Sequence, residues 1–219
     1  MARKAKKSAN CNDGVLKEAV VAASLPNAAF DGFTDALLSK AGEAAGIEKP
    51  ELDRLFPDGA RSLIEAYSRS VDAQMENVLA EMDLAKMKIR ERIAAAVLAR
   101  LSILGSHKEA ARRAAATLTL PMHAATGAKL MYHTVDAMWR AVGDTSTDFN
   151  FYSKRGILAG VYGATLVRWF NDVSENEKAT QDFLAARIEN VMQFEKFKAQ
   201  AKKALENFPA FDWTKPKAK

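Results

Sequence analysis

The stretch that decides the fold is TDALLSKAGEAAGIEKPELDRLF, Thr34–Phe56. Thr34 stands where a helix N-cap belongs, since its hydroxyl oxygen can accept from a free amide of the first turn. The run from Asp35 to Ala45 reads as a helix, with Gly46 just past its end. After the Ala45-Gly46-Ile47 turn, Glu48 to Phe56 reads as a very short helix with Pro50 near its first turn, where a missing amide is tolerated.

Upstream of this unit, Gly14 to Ser24 is expected as a short helix stopped before Pro26, with Asn27 to Phe33 as a connection. Downstream, Pro57 and Gly59 break the chain. Ala60 to roughly Met82 is then long and amphipathic, with Leu63, Ile64, Tyr67, Val71, Met75, Val78 and Leu79 recurring three and four apart. Further helices are expected from Lys86 to Leu104, His107 to Leu118, Met122 to Val142, Tyr152 to Phe170 and Asn176 to about Asn207. No period-2 strand of any length occurs, and the Asp58-Gly59 pair lies between helical runs rather than in a hairpin. The chain is therefore read as all-α, a bundle of about nine helices. Three short helices ahead of a long fourth and an apolar body resemble the TetR-type repressor fold, a small helix-turn-helix-like head on a ligand-binding body.

At 219 residues the chain is long enough for a sizeable core, and no apolar run approaches the roughly 20 residues needed to span a bilayer. A lone cysteine, Cys11, has no internal partner and points to a reducing compartment. The first ten residues lack the apolar core of a secretory signal. The net charge of +5 looks like an invitation to nucleic acid, but Arg3, Lys4, Lys6, Lys7, Lys215, Lys217 and Lys219 carry it in the terminal stretches, and the body between them is net acidic. The second helix of the helix-turn-helix carries Glu48, Glu51 and Asp53, the wrong sign to face phosphates. The head is accordingly read as retained framing, with no nucleic-acid partner expected.

No catalytic constellation emerges. There is no G-x-S-x-G elbow, P-loop or H-E-x-x-H, and the residues three before His107, His123 and His133 are all leucine, which excludes the Glu-x-x-His di-iron pattern. No enzyme activity, metal or cofactor is expected. The stretch that does stand out is GDTSTDFNFYSKR, Gly143–Arg155, between two small-residue-rich helical runs. Gly143 fits a helix C-terminal cap, the Asp, Ser and Thr residues after it can cap the next helix, and Phe149, Phe151 and Tyr152 cannot all face a core at its first turn. Aromatics left near a surface beside charged groups mark a place where another protein docks.

The longer run VDAMWRAVGDTSTDFNFYSKRGILAGVYGAT, Val135–Thr165, resembles the hallmark of the ubiquinone-biosynthesis accessory protein family, the ninth of the Coq proteins. It matches at Trp139, Gly143, Asp144, Ser146, Thr147, Asp148, Phe149, Asn150, Tyr152, Arg155 and Tyr162, and the likeness extends from the first helix to Asp172. The resemblance implies a TetR-like fold turned to lipid carriage. In this family an isoprenoid quinone intermediate sits in an apolar cavity, and the protein docks on the di-iron demethoxyubiquinone hydroxylase of the pathway. By position the docking patch falls on Asp148, Phe151 and Tyr152, with Arg155 beside them. Where this chain has Phe151, family members often carry Trp, so the apolar face is kept and the indole donor lost. The alternative from the fold alone is a ligand-responsive transcriptional regulator of TetR type.

For the lipid pocket, Met131, Met138, Trp139, Gly160 and Tyr162 are the candidates. The small residues Gly156, Ala159, Gly160, Gly163 and Ala164 equally fit close helix packing, and any single Met or Trp equally fits an ordinary core. In the last helix Phe194, Phe197, Leu205 and Phe208 share one face flanked by Lys198 and Lys202, with Trp213 beyond. Phe194, Phe197, Lys198, Leu205, Phe208 and Trp213 are expected to contact a membrane surface, while the earlier turns close the bundle or line a dimer. The expected organisation is a basic disordered tail over 1–12, a head over 13–58, a lipid-binding body over 59–207 and an aromatic, basic tail over 208–219. By analogy a homodimer is expected, peripheral on the cytoplasmic face of a bacterial inner membrane or on the matrix side of the mitochondrial one.

Overall fold

The computed structural model describes residues 2–145 and 149–206. Among these the chain forms nine α-helices and no strands: α1 (Ala2–Asp31), α2 (Asp35–Ala44), α3 (Lys49–Leu55), α4 (Ala60–Ala80), α5 (Ile89–Gly105), α6 (Lys108–Leu118), α7 (Ala124–Ala141), α8 (Phe149–Phe170) and α9 (Lys178–Glu206). In the head, the Thr34 side chain accepts from Leu37 N at 3.1 Å, and the α2–α3 turn closes through Ile47 N donating to Gly42 O. Leu37, Leu38, Leu52, Leu55 and Phe56 then bury together.

The first helix differs from expectation. Instead of a tail over 1–12 and a helix from Gly14 to Ser24, α1 runs unbroken from Ala2 through Pro26 to Asp31. Proline removes one helical hydrogen bond. Here Val20 and Val21 before it and Ala28 after it are all buried, and α1 packs on α2, α4 and α6. Tertiary burial on both sides of the proline outweighs the lost bond.

α4 crosses from the head into the body and packs on α5 and α7, while α8 lies between α7 and α9. Leu63, Ile64, Tyr67, Val71, Met75 and Leu79 form its buried stripe; Val78, expected on the same face, is partly exposed. Basic residues of α6 secure the end of α8: Arg112 donates to Phe170 O and Lys108 to Asp172 O. Cations beside the last carbonyls of a helix also suit its dipole.

The α8–α9 corner is held by one carboxylate. Asp172 accepts at Oδ1 from Ser174 N (2.8 Å) and Ser174 Oγ (2.6 Å), and at Oδ2 from Thr180 N (2.7 Å) and Thr180 Oγ1 (2.5 Å). Hydrogen bonds from the Ser174 and Thr180 hydroxyls hold its pKa well below the usual carboxylate range. A depressed carboxylate adds stability above its unfolded pKa of about 4 and loses it as pH falls through the folded value. Urea midpoints measured between about pH 6 and 2 should fall more steeply for the native chain than for Asp172→Asn. Parallel curves would show that the corner does not depend on the ionised group.

Candidate functional site

The α7–α8 joint is built on a helix stop. Gly143, at φ +88°, takes the left-handed conformation that β-carbons disfavour, with its N–H donating to Arg140 O and Asp144 N donating to Trp139 O. These two bonds, six-to-one and five-to-two, make a Schellman motif. It delivers Asp144 against α8, where its carboxylate meets Lys154 Nζ at 2.8 Å and Arg155 at 3.3 Å. Arg155 also binds Asp136 of α7 at 2.7 Å, donates to Phe151 O, and lays its guanidinium 3.4 Å from the Phe151 ring centroid.

Arg155 lies beside the patch, as expected, and beneath its surface. It is 4 % exposed and ties α7 to α8 through two carboxylates, so it supports the patch from within instead of presenting a charge to a partner. Phe151 is half-buried on top of it. Tyr152 stands out at 69 % exposed, edge-on to Phe151 with centroids 5.1 Å apart. Asp148 lies outside the described residues.

The body holds a half-open cavity of about 570 Å³ among α4, α5, α6, α7 and α8. Its walls are mostly apolar, with Leu104, Leu118, Leu130, Met131, Leu166 and Phe170 prominent. One feature fixes its shape: a β-carbon on Gly127 would sit 2.9 Å from Leu118 O, so only glycine lets α7 come this near the end of α6. On α8, a β-carbon on Gly163 would meet only the Met131 methyl, at 3.8 Å.

The pocket candidates separate. Met131 and Tyr162 line this cavity. Trp139 lies instead at a smaller one of about 270 Å³ among α5, α7, α8 and α9, with its indole N–H donating to Lys154 O at 3.2 Å. Met138 is fully buried, and Gly160 sits on an exposed stretch of α8 with no atom within 4 Å of its would-be β-carbon. Neither lines either cavity. Phe194 and Phe197 are exposed on α9. The side chains of Lys198 and Leu205, and all of Phe208 and Trp213, lie outside the described residues.

A polar cluster at one side of the large cavity goes beyond the sequence expectations. Arg100 Nε donates to Asp72 Oδ1 at 2.7 Å, and its other nitrogens donate to the Tyr162 hydroxyl and to Ser68 Oγ. Thr134 donates to the same Asp72 carboxylate at 3.1 Å. A signal was present in the sequence: Ile93, Val97, Arg100 and Leu104 keep the buried spacing of α5, which places a cation inside an apolar stripe, and Asp72 adjoins buried Val71 on α4. Burial raises the pKa of Tyr162, so its phenol stays protonated. Among the described residues no group of three metal-ligating side chains occurs, and no helix is long and apolar enough to cross a membrane.

This arrangement, a three-helix head on a helical body, is a TetR-like fold. The chain superposes on a TetR transcriptional regulator from Nitrosomonas europaea with a TM-score of 0.62 at 18% identity, over 79% of this chain and 95% of that one. Within the class, residues 124–195 match the COQ9 family model. The chain is 29% identical to the rat ubiquinone biosynthesis protein COQ9 over 81% of its own length and 59% of the relative's, and 28% identical to the human one over 81% and 58%. COQ9-B of Xenopus laevis is 30% identical over 63% of this chain and half of its own. The resemblance first carried by the Gly143–Arg155 motif thus holds over most of the chain, which itself spans under three fifths of these relatives.

Proposed function

We propose that this protein is a non-enzymatic, lipid-binding accessory protein of ubiquinone biosynthesis. In this role it holds an isoprenoid quinone intermediate in the α4–α8 cavity and presents it to the di-iron hydroxylase at a membrane surface. The observation that carries the proposal is the 570 Å³ apolar cavity, whose walls include α7 and α8, in the segment that matches COQ9. That volume falls within the range of small-molecule sites, roughly 300–1,000 Å³. Each buried methylene contributes about 0.8 kcal/mol, so a few isoprene units offset the loss of bilayer contacts. The relatives are described as ubiquinone biosynthesis proteins of mitochondria. For this chain we place the work on the matrix side of the mitochondrial inner membrane or the cytoplasmic face of a bacterial one, with Phe194, Phe197 and the residues after them resting on lipid.

The head does not favour the regulator alternative. Arg54 of α3 is engaged by Asp13 at 2.6 Å and Glu51 at 2.8 Å, and Lys49 by Asp53 at 3.3 Å, so both cations of this helix are already paired with carboxylates. Native mass spectrometry of the purified protein, then extraction of bound lipid, tests the cavity. A co-purifying prenylated quinone or phenol is expected, and a lipid-free protein that takes up none when offered overturns the proposal.

Tyr152 is the clean probe of docking, because Phe151 also supports Arg155. Tyr152→Ala should weaken hydroxylase association about tenfold or more. Folding stability should stay within about 0.5 kcal/mol, as for other exposed positions. Unchanged association in a pull-down titration would remove this residue from the docking surface.

A further inference from the structure

The two cavities of the body share the walls of three helices. On α5, Ile93 lines the small cavity, Arg100 and Leu104 line the large one, and Val97 stands between them on the same face. On α8, Leu158 lines the small cavity and Tyr162, one turn on, lines the large. On α7, Thr134 lines the large cavity and Trp139 the small, with Met138 one turn beyond Thr134 on its face. At the rise of a helix, these spacings make a partition only about 6–10 Å thick. Val97 and Met138 line neither cavity, are fully buried in one continuous core, and stand in that partition.

The two residues differ in what they can do there. Val97 is β-branched and held to one χ1 rotamer in a helix. Met138 is unbranched, with three rotatable bonds, and adapts to irregular apolar shapes. Turning this one side chain opens the partition while the helices stay packed. The space beyond is apolar as well. Ile93, Trp139, Leu158, Val161, Ile188 and Met192 line the small cavity, which is half-open and takes in Ser153 and Lys154, the residues that follow Tyr152 on α8.

We infer that the two cavities are the inner and outer compartments of one elongated site for a hydrocarbon chain, joined when Met138 turns aside. The outer compartment brings the end of a bound chain out beside the start of α8. The inference rests on the large cavity being a lipid site, and the test separates the two. Lipid-stripped full chain is offered α,ω-dibromodecane or α,ω-dibromodocosane from detergent micelles. Binding is read by native mass spectrometry. Arrival in the small cavity is read by bromine quenching of Trp139 fluorescence, taken as the difference from Trp139→Phe. A label at both ends reports the chain whichever way round it enters. At equal occupancy the docosane should quench Trp139 several-fold more than the decane. Equal quenching, or a bound docosane that leaves Trp139 bright, overturns the joined site and leaves the large cavity a lipid site by itself. Binding of neither overturns both.

Met138→Ile carries the assignment to the residue, because it keeps the bulk of the partition and removes its freedom. Docosane affinity should fall about tenfold, since several methylenes lose their burial in the outer compartment. Decane affinity and the ligand-free melting temperature should hold. A methionine that serves only the core would leave both affinities at their native values and overturn its assignment. If the variant does not fold, the quenching comparison in the native chain still decides.

Discussion

Arg155→Ala is expected to destabilise the protein by about 3 kcal/mol, the low end for removing one partner from a buried ion pair. The guanidinium is the shared cation of Asp136 and Asp144; the variant leaves them Arg140 and Lys154 but removes the one buried cation that bridges both, and Asp144 itself is 5 % exposed. Arg155→Lys should recover only part of the loss. A single ammonium cannot bridge two carboxylates and lie flat on Phe151 at once. Urea unfolding monitored by circular dichroism measures both. A change under about 1 kcal/mol for Arg155→Ala would show that the α7–α8 joint is held by something else. Under the proposed docking role, hydroxylase association should also fall in proportion to the folded fraction, whereas Tyr152→Ala should lose association with the fold intact.

Trp169→Ala should cost a similar amount, about 3–5 kcal/mol, for the cavity left by a fully buried indole. The side chain has a second duty. Its Nε1–H donates to Glu177 Oε1 at 2.5 Å, and Lys108 Nζ lies 4.7 Å from its ring centroid. Glu177 and its neighbour Asn176 both hold positive φ, 55° and 51°, in the turn before α9. Left-handed backbone disfavours a glutamate by about 1–2 kcal/mol, and the indole bond helps hold it there. Trp169→Phe keeps most of the volume and loses the donor, so it should fall between the native chain and the alanine variant. Equal losses for Phe and Ala would assign the whole effect to the hydrogen bond.

The head was legible because its signals are local. A hydroxyl cap at Thr34, a glycine at the turn and a proline in the next first turn each act within a few residues, and the structure places α2 and α3 within a residue of the expected ends. α1 was not legible at Pro26, since what carries the helix past that proline is burial against α2, α4 and α6. The same distinction applies to the candidate site. The Gly143 stop and the exposed Tyr152 arise from short-range chemistry. That Arg155 turns inward depends on Asp136, nineteen residues away. Tyr67, Asp72, Arg100 and Tyr162 meet only once α4, α5 and α8 pack, and sequence spacing marks Arg100 as buried without naming its partners.

The close approach at Gly127 gives the interior one hard side and one soft side. At α6–α7 a backbone carbonyl blocks even a methyl group, so that corner can neither be lined by a larger side chain nor drawn inward. One turn further along α7, the nearest obstacle to a β-carbon at Gly163 of α8 is the end of Met131, a thioether with rotamers to spare. In the proposed lipid site, Met131 is therefore the side chain that can adjust to a guest's girth without moving a helix.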